Sequence, residues 1–287
     1  MTVVLLPDAE FVGEFVNGST EWHEARATAI GGSDVGTVLG VNGWKSPITL
    51  WFEKRGVISD QVEPNMAMRL GTKLEAPILE IFKEEHPELE VFTTGTYASL
   101  ANPRFHANPD AVYKCADGSM GVLEIKFAAT WWTEVPVSYR KQVLWYMFVL
   151  GLRQAKIAVL NNSTYREFDI EWDQFEVDSM VQEVTRFVKY WDDGIMPDWD
   201  GSDSTYETMR LVHNSMEDAE EDLGDLGMYL SLAYDKFKEA EAHLTEMKSR
   251  TLDALGEKKH GVVEGVRVVS KQATRNGAPY LIMKGKK

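Results

Sequence analysis

A mixed α/β sheet flanked by helices, extended by one long helix and a β-hairpin, is the architecture that this 287-residue sequence predicts. Two observations carry it. Up to Pro197 the patterns run in the order helix, strands, helix, strands, helix, the order of a sheet covered by helices. Beyond it, Leu226, Leu230, Ala233, Phe237, Ala240, Leu244, Met247, Thr251 and Ala254 alternate spacings of four and three, the seam of one long helix. Residues 1–200 therefore read as a core and 201–287 as a C-terminal extension.

After an irregular start, STEWHEARATAI reads as a short helix capped by Ser19 or Thr20. GGSDVGTVLG follows as a glycine turn into a second helix with Ser33 at its N-cap. A turn at Asn42-Gly43 leads to a helix holding Leu50, Trp51 and Lys54. MAMRLGTKLEAPILEIFKEEHPEL places Leu70, Leu74, Ile78, Ile81 and Phe82 at helical spacing, carries Glu75 near its middle and stops near Pro87. Strand patterns come next in VFTTGTYASL, FHANPDAVYK and GVLEIKFA, the last two joined by a hairpin turn at Asp117-Gly118. SYRKQVLWYMFVLGL is apolar nearly all round, so it reads as a helix buried against the sheet. QAKIAVLNN and YREFDIEW are two more strands, and DQFEVDSMVQEVTRFVKYWDDG is a helix. DWDGSDSTYETMR reads as a polar linker to the seam helix, whose apolar edge is expected to pack on its own domain, a neighbouring subunit or a partner. GVVEGVRVVSKQAT, a turn at Asn276-Gly277 and PYLIMKGKK close the chain as a hairpin with a basic edge, which either follows DNA phosphates or blocks strand addition.

Composition narrows the function. At 44% hydrophobic and 26% charged, the chain builds a core without staples. One cysteine, Cys115, excludes a disulfide framework and a cysteine-ligated metal site within one chain, and suits a reducing compartment. The apolar run in MTVVLLPDAE is too short for a signal peptide, and no segment has the apolar length of a membrane span. The expectation is a cytoplasmic protein with no membrane partner. A net charge of −15 argues against nucleic acid, but Glu217, Asp218, Glu220, Glu221, Asp222 and Asp225 crowd one segment. Lys258, Lys259, Arg267, Lys271, Arg275, Lys284, Lys286 and Lys287 crowd the last, so net charge does not choose the partner. The six histidines show no paired ligand spacing and there is no P-loop, which speaks against zinc catalysis and ATP use.

The chemistry concentrates in FHANPDAVYKCADGSMGVLEIKFA. Val122, Glu124 and Lys126 share one face of its last strand, and Leu123, Ile125 and Phe127 share the other. Carboxylates on neighbouring strands converge on one hard cation, and magnesium needs only one or two of them besides waters. Asp110 and Glu124 meet that need, and Ile125 is free to offer its backbone carbonyl. Lys126 lies on the face of Glu124, where a lysine holds an attacking water, while a metal acidifies that water and neutralises a phosphodiester. The alternative is an ion pair on a solvated face, and the residues alone leave both open.

IGGSDVGTVLGVNGWKSPITLW, GTKLEAPILEIF, NPDAV, LEIK and SYRKQVLWYMFVLG occur in the order and spacing of the YqaJ-like viral recombinase domain. Over roughly its first two thirds the chain thus resembles that family, which belongs with the phage lambda exonuclease group of PD-(D/E)xK nucleases. The resemblance implies a restriction-endonuclease-like core in which Asp110 and Glu124 bind metal and Lys126 is the lysine of the xK element. Glu75 is similar to the helical acid that completes the metal site, its alternative being a solvent-facing glutamate. Tyr139 and Gln142 match a Y-x-x-Q pattern, with Lys126, a metal-bound water, a substrate phosphate or backbone as partner of the glutamine. Arg26 and Ser33 resemble residues that hold a 5′-phosphate; a surface arginine and an N-cap serine are the alternative.

The same resemblance implies a magnesium enzyme, with manganese as a substitute, that degrades one strand of linear duplex DNA from its 5′ end. The 3′ single strand would go to a single-strand annealing protein for homologous recombination. A homo-oligomer is implied, in the form of a trimeric ring around duplex DNA. The rivals are a structure-specific endonuclease of the same fold and a non-catalytic DNA-binding accessory protein. Ala111 stands where many relatives have glycine, a mild departure that leaves the metal acids in place. Trp131 and Trp132 either stack on unpaired bases or pack, and His106 supports the fold.

Overall fold

The computed structural model describes residues 4–60, 64–274 and 277–283. It divides into two compact units, Met1–Ser215 and Met216–Lys287. In the first, β1 (Ala9–Gly13) precedes four helices, α1 (Thr20–Ala27), α2 (Gly32–Val38), α3 (Pro47–Lys54) and α4 (Met66–Glu85). Strands β2 (Glu90–Thr93), β3 (Thr96–Ser99), β4 (His106–Ala107), β5 (Ala111–Lys114) and β6 (Met120–Ala128) lead into α5 (Val137–Leu150). Strands β7 (Gln154–Asn161) and β8 (Thr164–Glu171) and helices α6 (Gln174–Asp193) and α7 (Asp203–Val212) complete it.

The main sheet has the order β2-β5-β6-β7-β8 and a smaller one the order β1-β3-β4. Within the main sheet only β6 and β7 run parallel, because α5 carries the chain back across between them. Ile78, Leu79 and Phe82 of α4 pack on the face bearing Leu123, Ile125 and Ala158. On the other face Val143, Leu144 and Met147 of α5 join Val122, Ile157 and Val159 in the larger core. The all-round apolarity of α5 is thereby explained, since it is buried from Val143 to Met147 and again at Val149 and Leu150. Glu124 and Lys126 therefore do not sit on a solvated face, and Glu124 is only 2% exposed.

Several boundaries differ from the sequence patterns. VFTTGTYASL is one run of strand formers but serves two sheets, β2 pairing with β5 and β3 with β1 and β4. The chain crosses between them at Gly95, where a Cβ would lie 2.5 Å from the Gly13 carbonyl oxygen. FHANPDAVYK likewise breaks between β4 and β5. The N-cap of α2 is Gly31 rather than Ser33, with Asp34 accepting the Gly31 N–H at 3.2 Å. The supposed polar linker contains α7, capped by Ser202 and seated on the start of α3 through hydroxyls. Thr205 Oγ1 donates to Ser46 Oγ at 2.8 Å, and Thr208 Oγ1 lies 2.8 Å from Thr49 Oγ1. The residues that α7 buries are threonines, and its contacts carry the first unit beyond residue 200 to Ser215.

In the second unit the heptad pattern does form one helix, α8 (Asp225–Leu255), of 31 residues. Strands β9 (His260–Val263), β10 (Val266–Ala273) and β11 (Pro279–Met283) follow as an antiparallel sheet, one strand richer than the expected hairpin. Asn276 of the expected turn, and the basic residues Arg275, Lys284, Lys286 and Lys287, lie outside the described residues. Only Leu255 of α8 is buried, while Leu226, Leu230 and Phe237 of the seam are more than half exposed. Among the described residues no helix is long and apolar enough to cross a membrane.

Candidate active site

The site begins where β5 stops. Its ladder with β6 runs from Lys114–Met120 to Ala111–Leu123 and ends there. Alternate residues of a strand present their N–H and C=O to the same neighbour, so Ile125 is the next position of β6 to face the missing strand. Its N–H donates instead to Asp110 Oδ2 at 2.6 Å. By the same strand alternation the Ile125 carbonyl faces that side of β6 as well.

Glu124, the residue before, turns to the α5 side. Its Oε1 accepts from Lys126 Nζ and, at 2.8 Å, from Gln142 Nε2. Its Oε2 is buried with no hydrogen-bond partner, an expensive state for a carboxylate oxygen. Gln142 Nε2 also donates to the Tyr146 hydroxyl at 2.9 Å, so the glutamine bridges Glu124 and Tyr146. Lys126 Nζ lies 5.1 Å from the centre of the Tyr139 ring, a cation–π distance. Tyr139 stacks in turn on Trp132, with ring centres 5.2 Å apart.

Charge in this cluster is out of balance. Burial pushes the Glu124 carboxyl up, Asp110 adds to that, and Lys126 offsets only part, leaving it at about 8. Burial also raises Asp110, against the pull of Lys126 and the Ile125 N–H. Glu75 is raised by partial burial and by Asp110, with Lys126 opposing. For Lys126 burial works the other way, but Glu124 and Asp110 outweigh it and hold the ammonium well above its ordinary value. Three acids thus share one lysine, and a further positive charge would relieve them.

Among the described residues no three His, Cys, Asp or Glu side chains form a ready-made metal cage. The donors in place are the Asp110 and Glu124 carboxylates and the Ile125 carbonyl, an all-oxygen set suited to a hard divalent cation that keeps several waters. The unpartnered Glu124 Oε2 is the atom that fits such a cation best.

Arg26, Ser33, Glu75, Asp110 and Tyr146 line one cleft of about 590 Å³. Lys126, Glu124 and Tyr139 are not on its wall, and Gln142 connects to it through the Tyr146 hydroxyl. Arg26 Nη1 donates to Ser33 Oγ at 3.0 Å and Nη2 to Asp34 Oδ1 at 2.8 Å. Asp34 Oδ2 accepts from Lys54 Nζ at 2.9 Å, and that ammonium also donates to the Arg26 and Ala29 carbonyls at 2.7 Å each. Burial alone would lift the Asp34 carboxyl, yet Lys54 and Arg26 together hold it well below the carboxylate range. Lys54 shifts downward, because burial and the like charge of Arg26 outweigh the pull of Asp34 and Glu53. The two directions agree with a cluster of two cations around one acid.

Asp34 and Tyr146 were not among the sequence candidates. Tyr146 had a signal, since a tyrosine four residues after Gln142 shares its helix face. It also fixes the start of α2, where a Cβ on Gly32 would lie 2.4 Å from the tyrosine ring. His106 lines the same cleft, and its backbone carbonyl accepts from Trp145 Nε1 at 2.9 Å.

A mixed sheet flanked by helices, with an acid in a strand break and a Glu-x-Lys strand beside it, is a PD-(D/E)xK-like fold. Residues 21–153 match the YqaJ-like viral recombinase domain. The uncharacterized protein YqaJ of Bacillus subtilis (strain 168) is 29% identical over an alignment of 212 residues that covers 69% of this chain. The chain spans 64% of the length of that relative. An alkaline exonuclease (LHK-Exo) from Laribacter hongkongensis is similar in structure, with a TM-score of 0.54 and 21% identity over 69% of this chain and 100% of its own. LHK-Exo in complex with dAMP also gives a TM-score of 0.54, at 22% identity over 62% and 94% of the two chains. These likenesses establish a shared fold.

Proposed function

We propose that this chain is a magnesium-dependent deoxyribonuclease that removes nucleotides from the 5′ end of one strand of linear duplex DNA and leaves a 3′ single strand. The observation that carries the reading is the unpartnered Glu124 Oε2 next to Asp110 and Lys126, on a strand matching a recombinase family. Asp110, Glu124 and the Ile125 carbonyl would hold magnesium, or manganese in its place, with Glu75 joining directly or through water. When bound, such an ion acidifies a water and neutralises charge on the scissile phosphodiester.

The chain's own groups do the rest. Lys126, kept protonated by Glu124 and Asp110, donates to the attacking water or to a phosphate oxygen. Gln142 holds Oε1 of Glu124 and so leaves Oε2 to the cation. Tyr139 supports Lys126 with its ring face. Arg26 and Ser33 offer a 5′-phosphate two side-chain donors at the start of α2, and Asp34 keeps the guanidinium oriented. LHK-Exo, a protein of this fold, has been seen with dAMP, a nucleotide of the kind this reaction would release.

In this reading the product strand passes to a single-strand annealing protein in the bacterial cytoplasm. The enzyme acts as a homo-oligomer that encircles duplex DNA, a trimeric ring being the form the family resemblance favours. Residues 1–200 supply the catalysis and the C-terminal extension the contacts with DNA or partners.

The test is digestion of linear duplex labelled at one 5′ or one 3′ end, with magnesium or EDTA, beside a covalently closed circle and a folded Lys126→Ala variant. Early release of the 5′ label, a spared circle and an inactive variant support the proposal. Cutting of the circle points to a structure-specific endonuclease, and binding without any cutting to an accessory DNA-binding protein.

A further inference from the structure

The strand that carries Glu124 and Lys126 ends at Ala128, and residues 129–136 turn the chain into α5. Two adjacent tryptophans occupy that turn and part company. Trp132 is 8% exposed and stacked on Tyr139, whereas Trp131 is 58% exposed.

An exposed indole on a loose loop needs no explanation. This turn is held. Asn161, the last residue of β7, donates its Nδ2 to the carbonyls of Ala128, at 3.2 Å, and Thr130. Arg166 of β8 donates Nη1 to the carbonyl of Trp132. Three alternate carbonyls around Trp131 are thus fixed by side chains of the β7–β8 hairpin. The same Arg166 guanidinium lies 4.8 Å from the Trp131 ring centre and 4.9 Å from that of Phe168. A cation positions the indole from the protein side while more than half of the residue stays in water.

We infer that Trp131, backed by Arg166, is a stacking platform for an unpaired nucleobase of the DNA strand handled by the site. A flat π-surface completes an indole held in this way, and every base has one. A base inside a duplex has both faces covered by its neighbours, so the ligand is a single-stranded or frayed nucleotide. The platform is continuous with the site, because Lys126 lies on the Tyr139 ring, Tyr139 stacks on Trp132, and Trp131 is the next residue. The assignment of the strand rests on the nuclease reading; the binding of a base does not need turnover.

Fluorescence anisotropy in EDTA at low salt tests it, with a labelled oligothymidylate and an abasic oligomer of equal length and charge. Wild type is expected to hold the oligothymidylate about five- to tenfold more tightly. Trp131→Ala should lose most of that preference and Trp131→Phe should keep part of it. Trp131→Leu, which keeps bulk without the π-face, repeats the test if the alanine variant misfolds. Equal binding of both oligomers by wild type, or a preference that survives in both Trp131→Ala and Trp131→Leu, overturns the inference. A protein contact at Trp131 would give such equal binding. Base preference without magnesium-dependent cleavage would leave the platform standing and remove the nuclease reading alone.

Discussion

Replacing Asp34 by asparagine tests whether the buried cluster under α2 holds the Arg26 side of the cleft. The carboxylate accepts from Arg26 at 2.8 Å, from Lys54 at 2.9 Å and from the Gly31 N–H at 3.2 Å, with Asp34 4% and Lys54 9% exposed. Breaking a buried ion pair from one side costs roughly 3–5 kcal/mol, because the other charge stays buried. Lys54 keeps two carbonyl acceptors, at 2.7 Å each, which places the expected loss near the lower end, about 3 kcal/mol. Urea unfolding followed by tryptophan fluorescence measures it, since all 9 tryptophans lie between Trp22 and Trp199 and report the first unit alone. Adding Lys54→Met to Asp34→Asn should recover at least half of the loss, because the uncompensated ammonium is then gone. The sign with pH is also fixed. The folded value of Asp34 is depressed, so its stabilisation is complete above the unfolded value of about 3.9 and fades as pH falls through the folded one. A loss below about 1 kcal/mol at neutral pH, or a double variant no more stable than the single, would refute the argument.

The other predictions concern neighbouring contacts. Gly32→Ala drives a methyl to 2.4 Å from the Tyr146 ring, with an expected cost of roughly 1–3 kcal/mol in the same fluorescence assay. Gln142→Leu frees Glu124 from its amide partner and should lower metal affinity or cleavage roughly 10–100-fold, read from a magnesium titration of digestion. His86 is pulled down by its partial burial, but hydrogen bonds to Glu167 at 2.8 Å and Glu88 at 3.2 Å outweigh this and raise it. Its stabilisation is therefore complete below the ordinary histidine value of about 6.5 and is lost as pH rises through the folded one. The stability gap between wild type and His86→Gln should accordingly close on the alkaline side, as urea titrations across that range will show.

How far the sequence could be read depended on the range of the interactions involved. The period of two in GVLEIKFA assigned Glu124 and Lys126 to one face, and the apolar run of α5 announced its burial. That the two meet was not legible, because the cover over Glu124 comes from Gln142, eighteen positions on, and from a crossover set by the sheet. Strand propensity located β2 and β3 but not their sheets, which are chosen by partners remote in sequence. The helix α7 lies in the segment read as a linker, and what seats it on the start of α3 is a set of threonine and serine hydroxyls paired across 159 positions. Asp34 was not singled out in the sequence, because only the fold brings Lys54 to it.

The spacing of Asp110 and Glu124 is a matter of register. Pro109 has no N–H to give a ladder, and its carbonyl is already taken by the Thr94 hydroxyl at 2.6 Å, so β5 cannot begin before Asp110. The unpaired Ile125 N–H must then find another acceptor, and the Asp110 carboxylate is there at 2.6 Å. A side chain thus stands in for a strand, and the main chain bearing Glu124 anchors it. Because the β5–β6 pairing from Ala111–Leu123 to Lys114–Met120 sets where that bond falls, Asp110 is placed relative to Glu124 by sheet geometry more than by free choice of rotamer. A slip of one residue would move Asp110 along β6 and turn the apolar side chains of β5 to the wrong face. The hydrophobic packing of Ala111 and Tyr113 under α4 therefore protects the chemistry as well as the core.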